Sequence, residues 1–215
     1  DWASWDDTYT FIEDRNPEYI ASNLELDNSY ANNEVNLMVY LNQSGETVFA
    51  RGYDLVNEEE APVPESIGQH IAPESPLLTE NGNSGILMLP EGPMLIAAQP
   101  ILTSEQTGPA RGTLIWGRWL DEAQIARLAE VIHMSLTAER QDSSALPDDF
   151  VQAGTELTSD DPIAVQPLDD DTVAGYTVLD DIYGEPALMI RVDQPRDIYA
   201  QGEATTRYFL FYLLG

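Results

Sequence analysis

The chain has 215 residues, and 38 acidic side chains against 9 basic ones give it a formal net charge of −29. Apolar residues make up 43 %, enough for a packed core, so the length reads as one large globular domain or two small ones. The charge excludes a nucleic-acid partner, whose affinity rests on basic side chains against phosphate, and it disfavours anionic lipid surfaces. The lack of cysteine excludes disulfides, zinc ribbons and thiol catalysis.

Every basic residue is an arginine. An acid excess without lysine suits a surface facing salty or extracellular water. The runs Glu58-Glu59-Glu60 and Asp169-Asp170-Asp171 lack the ligand spacing of a calcium loop and read as loop charge, so no metal or other cofactor is expected.

Trp2, Trp5, Tyr9 and Ile12 recur at spacing 3-4-3, which predicts one face of an N-terminal helix. That stripe serves as core packing or as a dimer seam. Asn16-Pro17 supplies a cap and a first helical residue, so a second helix is expected through Asn32. The period then becomes strand-like. Residues 35–41 and 47–53 form a hairpin around the turn Asn42-Gln43-Ser44-Gly45. A loop with a short helix near Glu65–His70 follows, then strands over 85–89, 94–102 and 112–119. Asp121 caps a helix, with Gln124 three residues on, whose buried face is Ile125, Leu128, Ile132 and Leu136. Residues 141–162 are polar and mark a boundary. Short strands at 163–165, 173–179 and 187–192 then give a small hairpin unit.

This order predicts an α+β fold, a PAS-type antiparallel five-stranded sheet with flanking helices and a small C-terminal β-hairpin unit. A ligand cavity would lie against the sheet. Its candidate walls alternate along the strands: Tyr40, Phe49, Arg51 and Tyr53 from the first hairpin, and Trp116, Arg118 and Trp119 from the last strand. Arg51 or Arg118 can grip a carboxylate through its guanidinium fork. The alternative for the aromatics is core packing, and for Arg118 an ion pair with one of the many acids. Neither His70 nor His133 has a catalytic context, no phosphate-binding glycine pattern occurs, and no catalytic residue is nominated. The chain starts at Asp1 without methionine and finishes in the apolar, aromatic run Tyr208-Phe209-Leu210-Phe211-Tyr212-Leu213-Leu214. Such a run reads as the first turns of a membrane span or as a last core element.

Three stretches carry a resemblance. They are Trp5-Asp6-Asp7-Thr8-Tyr9, then Ala98-Gln99-Pro100-Ile101-Leu102, then Gly108 to Leu114 with Gly117-Arg118-Trp119-Leu120-Asp121. In this order they resemble the fourth CHASE class, extracytoplasmic sensory domains related to the Cache and PAS-like folds. The resemblance implies a periplasmic or cell-exterior sensor held between two membrane spans, working as a homodimer on an unidentified small molecule or a physical signal. Its output would be a cytoplasmic histidine kinase or a GGDEF/EAL cyclic-di-GMP enzyme. Residues 1–141 would then be the N-terminal helix and sensor lobe, 142–199 a membrane-proximal β unit, and 200–215 the start of a second transmembrane helix. The alternative is a secreted or periplasmic binding protein or hydrolase with no membrane output.

Overall fold

The run Leu37-Met38-Val39-Tyr40-Leu41 is apolar at every position, the pattern of a strand covered on both faces. In the computed structural model, which describes residues 2–72 and 74–196, these five residues are all buried in β1 (Leu37–Asn42). β1 pairs antiparallel with β2 (Thr47–Asp54) on one side and β6 (Gly112–Trp119) on the other. The β1–β2 turn is closed by the Asn42 side chain, whose Oδ1 accepts from the Ser44 N–H (3.0 Å) and the Glu46 N–H (2.9 Å). β3 (Glu59–Ala61), β4 (Asn83–Leu89) and β5 (Gly92–Pro100) complete a sheet of order β3-β2-β1-β6-β5-β4.

The sheet therefore has six strands where five were expected. The addition is β3, which takes Glu59 and Glu60 out of the expected loop and pairs them with Asp54 and Tyr53. A short, acidic edge strand is protected against pairing with other chains, so this charge run has a place at the rim of the sheet.

On one face of the sheet lie α1 (Asp6–Asp14) and α2 (Pro17–Asn23). Asn16 caps α2 as expected, its side chain accepting the Glu18 N–H at 2.9 Å, with Pro17 in the first turn. The helix does not run on to Asn32. Arg51 Nη1 donates to the Leu24 carbonyl at 2.8 Å and Ser29 Oγ to that of Asn23, so side chains satisfy the groups a continuing helix would use. Leu26–Ala31 then form a π-helical turn. The predicted aromatic stripe is also divided. Trp2 sits in a separate 3-10 turn (Trp2–Ser4) and Trp5 at the cap before α1, so both fall out of helical phase with Tyr9 and Ile12. The buried residues of α1 are Thr8, Phe11 and Ile12.

Two cores result. Phe11, Tyr19, Leu24 and Tyr30 pack on Met38, Tyr40, Tyr53 and Leu114, while Leu37, Val39 and Leu41 meet Leu87, Met94, Ile96 and Ile115 on the other side. Ile67 of α3 (Ile67–His70) and Leu77 close this second layer.

Residues 1–121 with 181–185 form one compact unit, and 122–180 with those from 186 on form another. This differs from the expected division at 141. α4 (Glu122–Ile132) starts where predicted but ends before Leu136, because His133 turns left-handed (φ 55°) and Leu136 enters β7 (Ser135–Arg140). No residue of α4 is fully buried, and Ile132 is exposed. β7 pairs with β10 (Pro186–Pro195), which draws it into the second unit. The polar stretch read as a boundary contains α5 (Asp148–Glu156), whose Phe150 and Ala153 are buried with Ala164, Ala174, Tyr176 and Met189. With β8 (Ala164–Pro167) and β9 (Thr172–Asp180) the sheet order is β7-β10-β9-β8, a four-stranded layer rather than a hairpin. The expected membrane helix at 200–215 lies outside the described residues, among which no helix is long and apolar enough to cross a membrane.

Two features make the packing testable. A Cβ at Gly112 would collide with the backbone carbonyl of Leu41 in the neighbouring strand. Gly112→Ala is therefore expected to cost at least about 3 kcal/mol in urea unfolding, since backbone on both sides of the clash is held by the sheet. In the second unit, Asp149 accepts from Tyr176 Oη and Arg191 Nη1, each at 2.8 Å. Burial by itself would raise the Asp149 pKa, but these two bonds and the Arg191 charge outweigh it and hold the carboxyl below its usual range. Burial, followed by the bond to Asp149, pushes the Tyr176 hydroxyl up to about 12. The folded state thus binds fewer protons at Asp149 than the unfolded chain does. The stabilisation is complete above the unfolded carboxyl pKa, about 4, and is lost as pH falls through the lower folded value. Asp149→Asn is expected to lose about 1–3 kcal/mol at neutral pH and to flatten the acid limb of the stability curve.

Candidate functional site

Strand alternation brings five of the predicted site residues to one face. Met38 stands opposite both Arg51 and Trp116, so these three share a row across β2, β1 and β6. Tyr40 stands opposite Phe49 and Leu114, while Tyr53 and Arg118 lie two residues beyond Arg51 and Trp116 on their strands. Trp119 does not join them. One residue past Arg118, it turns to the opposite face and packs on the second core.

The shared face is covered rather than open. Tyr40 and Tyr53 are 0 % and 2 % exposed and act as core residues: Tyr40 meets Phe11 and Phe49 edge-on, and Tyr53 meets Tyr30 at 5.7 Å between ring centroids. Trp116 is half-buried, edge-on to Trp2 at 5.6 Å, and Trp2 in turn stacks on Trp5. Arg51 donates to the Leu24 carbonyl, lies 5.1 Å over the Phe49 ring and faces Glu60 at 3.7 Å. Arg118 forms the ion pair that its many acidic neighbours led one to expect, Nη1 to Glu34 Oε2 at 2.9 Å.

A residue that sequence reasoning passed over lies beneath these. Tyr30, on the π-helical turn, is fully buried, and among the described residues its hydroxyl has no hydrogen-bond partner; the same holds for Trp116 Nε1. Burial raises the pKa of Tyr30 and, further, that of Tyr40, so both phenols remain neutral donors across the ordinary pH range. The Tyr19 hydroxyl is shared with Thr8 Oγ1 at 2.6 Å. π-helical turns recur at functional sites, which was the one local signal for Tyr30, but six residues without helical periodicity do not announce one.

Open space is found elsewhere in this unit. A cleft of about 640 Å³ lies between the end of α1, the β1–β2 turn and the loop before β6, and includes Tyr9, Arg15, Gln43 and Arg111. A second, of about 250 Å³, shares Asn42, Gln43 and Ser44 with it and runs on to Leu78 and Thr113. His70, in α3, contacts the Tyr183 hydroxyl through Nδ1 at 2.8 Å, and His133 ends α4. Among the described residues no group of three or more acidic or histidine side chains could hold a metal ion.

Antiparallel α+β layers of this kind form the fold of sensory domains from outside the membrane. The extracellular domain of the histidine kinase homologue vpHK1S-Z8 superposes with a TM-score of 0.53 at 12 % identity, over 92 % of this chain and 84 % of that one. A domain assigned to the sensory box/GGDEF family from Vibrio parahaemolyticus gives 0.52 at 10 % identity, over 93 % and 87 %. At these identities the likeness concerns the fold alone. In sequence, the methanogenesis regulatory histidine kinase FilI of Methanothrix harundinacea (strain 6Ac) is 33 % identical over 217 residues. The match takes in 96 % of this chain and 23 % of that kinase.

The CHASE4 domain matches residues 1–139, and the chain belongs to that family of extracytoplasmic sensory domains. It is a sensor domain of a signalling receptor.

The buried donors give a direct check on the covered face. Tyr30→Phe removes a hydroxyl with no partner among the described residues and is expected to leave stability unchanged or raise it by up to about 1 kcal/mol in urea unfolding. A loss of stability would mean that an ordered water or ligand occupies the position.

Proposed function

We propose that this chain senses a small molecule outside the membrane for a receptor whose output is a histidine kinase on the inner side. The observation that carries the reading is the 33 % identity to such a kinase, sustained over 96 % of this chain. In this reading the helix-capped sheet takes two packings close in free energy, and a ligand with differential affinity shifts the balance between them. A GGDEF/EAL output is the second reading, supported by a fold-level likeness to a GGDEF-family domain.

In this reading the receptor is a homodimer with flanking membrane spans. Trp2, Trp5, Tyr9 and Ile12 then divide their work. Ile12 belongs to the core, while Trp5, 38 % exposed at the head of α1, is the member available to a second subunit. This 215-residue segment lacks cysteine, so Trp5→Cys introduces the single thiol of the segment. In the full-length receptor it is expected to form a disulfide-linked dimer on mild oxidation, read on a non-reducing gel; a receptor that stays monomeric removes the seam.

The decisive experiment is to read the gene on both sides of this segment and assay the product. Spans of about 20 apolar residues on each side and a downstream kinase that autophosphorylates with ATP are expected. A cleavable signal peptide before Asp1 and a stop codon soon after Gly215 would overturn the receptor reading. A secreted binding protein or hydrolase would then take its place.

A further inference from the structure

We propose that the open cleft between the end of α1, the β1–β2 turn and the loop before β6 binds a small monocarboxylate, held by Arg15 and Arg111. The inference rests on the reading of the chain as a ligand sensor.

Only nine cationic residues serve a chain of net charge −29, and two of them line this one cleft. Arg118 and Arg191, by contrast, are about three-quarters buried and paired with carboxylates that are themselves mostly buried, Glu34, Asp149 and Asp193. Arg15 and Arg111 are held by Glu46 (2.9 Å) and Glu13 (3.2 Å), carboxylates that are 60 % and 65 % exposed. Ion pairs this exposed contribute little, so an incoming carboxylate can exchange with them at small cost.

Arg111 is prepared for that role. Its guanidinium lies 3.9 Å over the Tyr9 ring, and Nη1 donates to the Tyr9 carbonyl at 3.0 Å, which fixes the plane of the fork. A guanidinium held this way loses little freedom on binding a carboxylate. Tyr9 is itself anchored, its hydroxyl donating to the Pro109 carbonyl at 3.1 Å. Arg15 closes α1 in the left-handed conformation (φ 51°), a strained backbone for a side chain with a Cβ. Beside the two cations the cleft is lined by Pro109, the small exposed edge of Ile12, the Glu13 side chain and polar atoms of the Asn42–Ser44 turn.

This combination sets the ligand class. One carboxylate matches the fork, a short alkyl body matches the apolar wall, and multiply charged anions are disfavoured by the acidic surroundings. The probe is sodium butyrate, added to the isotope-labelled 215-residue chain at constant ionic strength against sodium chloride. Saturable amide shifts are expected at Gln43, Ser44, Gly108 and Arg111. Arg15→Gln, at a half-exposed position that leaves the rest of the spectrum intact, is expected to weaken binding about tenfold, as is Arg111→Gln.

Butyrate shifts no larger than those of chloride overturn the proposal, as does affinity undiminished in both variants. Saturable shifts centred on Tyr30, Arg51 and Trp116 would overturn it too, by placing the ligand under the helices while leaving the sensory reading intact. Failure of the receptor reading registers separately, in the flanking gene sequence.

Discussion

Everything in the first unit depends on the burial of β1. Because Leu37 to Leu41 are covered on both faces and hydrogen-bonded on both edges, the strand cannot shift register without exposing one core and overfilling the other. β1 sets where β2 and β6 lie, and through them where α1, α2 and the π-helical turn rest. The clefts, the aromatic row and the ion pairs of Arg51 and Arg118 are all referenced to that one strand.

The second organising constraint is charge. With so few cations, the arginines that meet mostly buried carboxylates do structural work: Arg118 ties Glu34 to β6, and Arg191 gathers Asp149 and Asp193 around the second core. The exposed acids outnumber these pairs many times over, and their mutual repulsion favours solubility over compactness. Arg15 and Arg111 meet exposed carboxylates instead, as Arg51 does, and these two share one cleft.

How much could be read in advance follows from how local each signal is. β6 was expected at 112–119 and lies there, and β2, expected at 47–53, runs one residue further, since both are bounded by turn residues. The cap at Asn16 was legible because its chemistry lies within three residues. The shared face of Tyr40, Arg51, Tyr53, Trp116 and Arg118 followed from alternation, but whether helices cover that face depends on Phe11, Tyr19 and Tyr30, far away in sequence. The π-helical turn was hidden because Arg51, twenty-seven residues on, takes the carbonyl of Leu24. β7 was read as more helix because Ile132 and Leu136 fit a helical period, and only pairing with β10 distinguishes the two. α5 was missed because its polar face dominates the composition of 141–162.

The strand order β7-β10-β9-β8 carries a consequence for synthesis on the ribosome. β10 lies between β7 and β9, yet it is the last of the four to be made. β7 must wait, unpaired, through more than forty residues of nascent chain, whereas the six-stranded sheet has all its strands once residue 119 emerges. Vectorial folding thus favours an assembled first sheet while the second layer is still open. A ribosome pausing before residue 186 would hold β7 and β9 as exposed edges, the state in which a chaperone has most to shield.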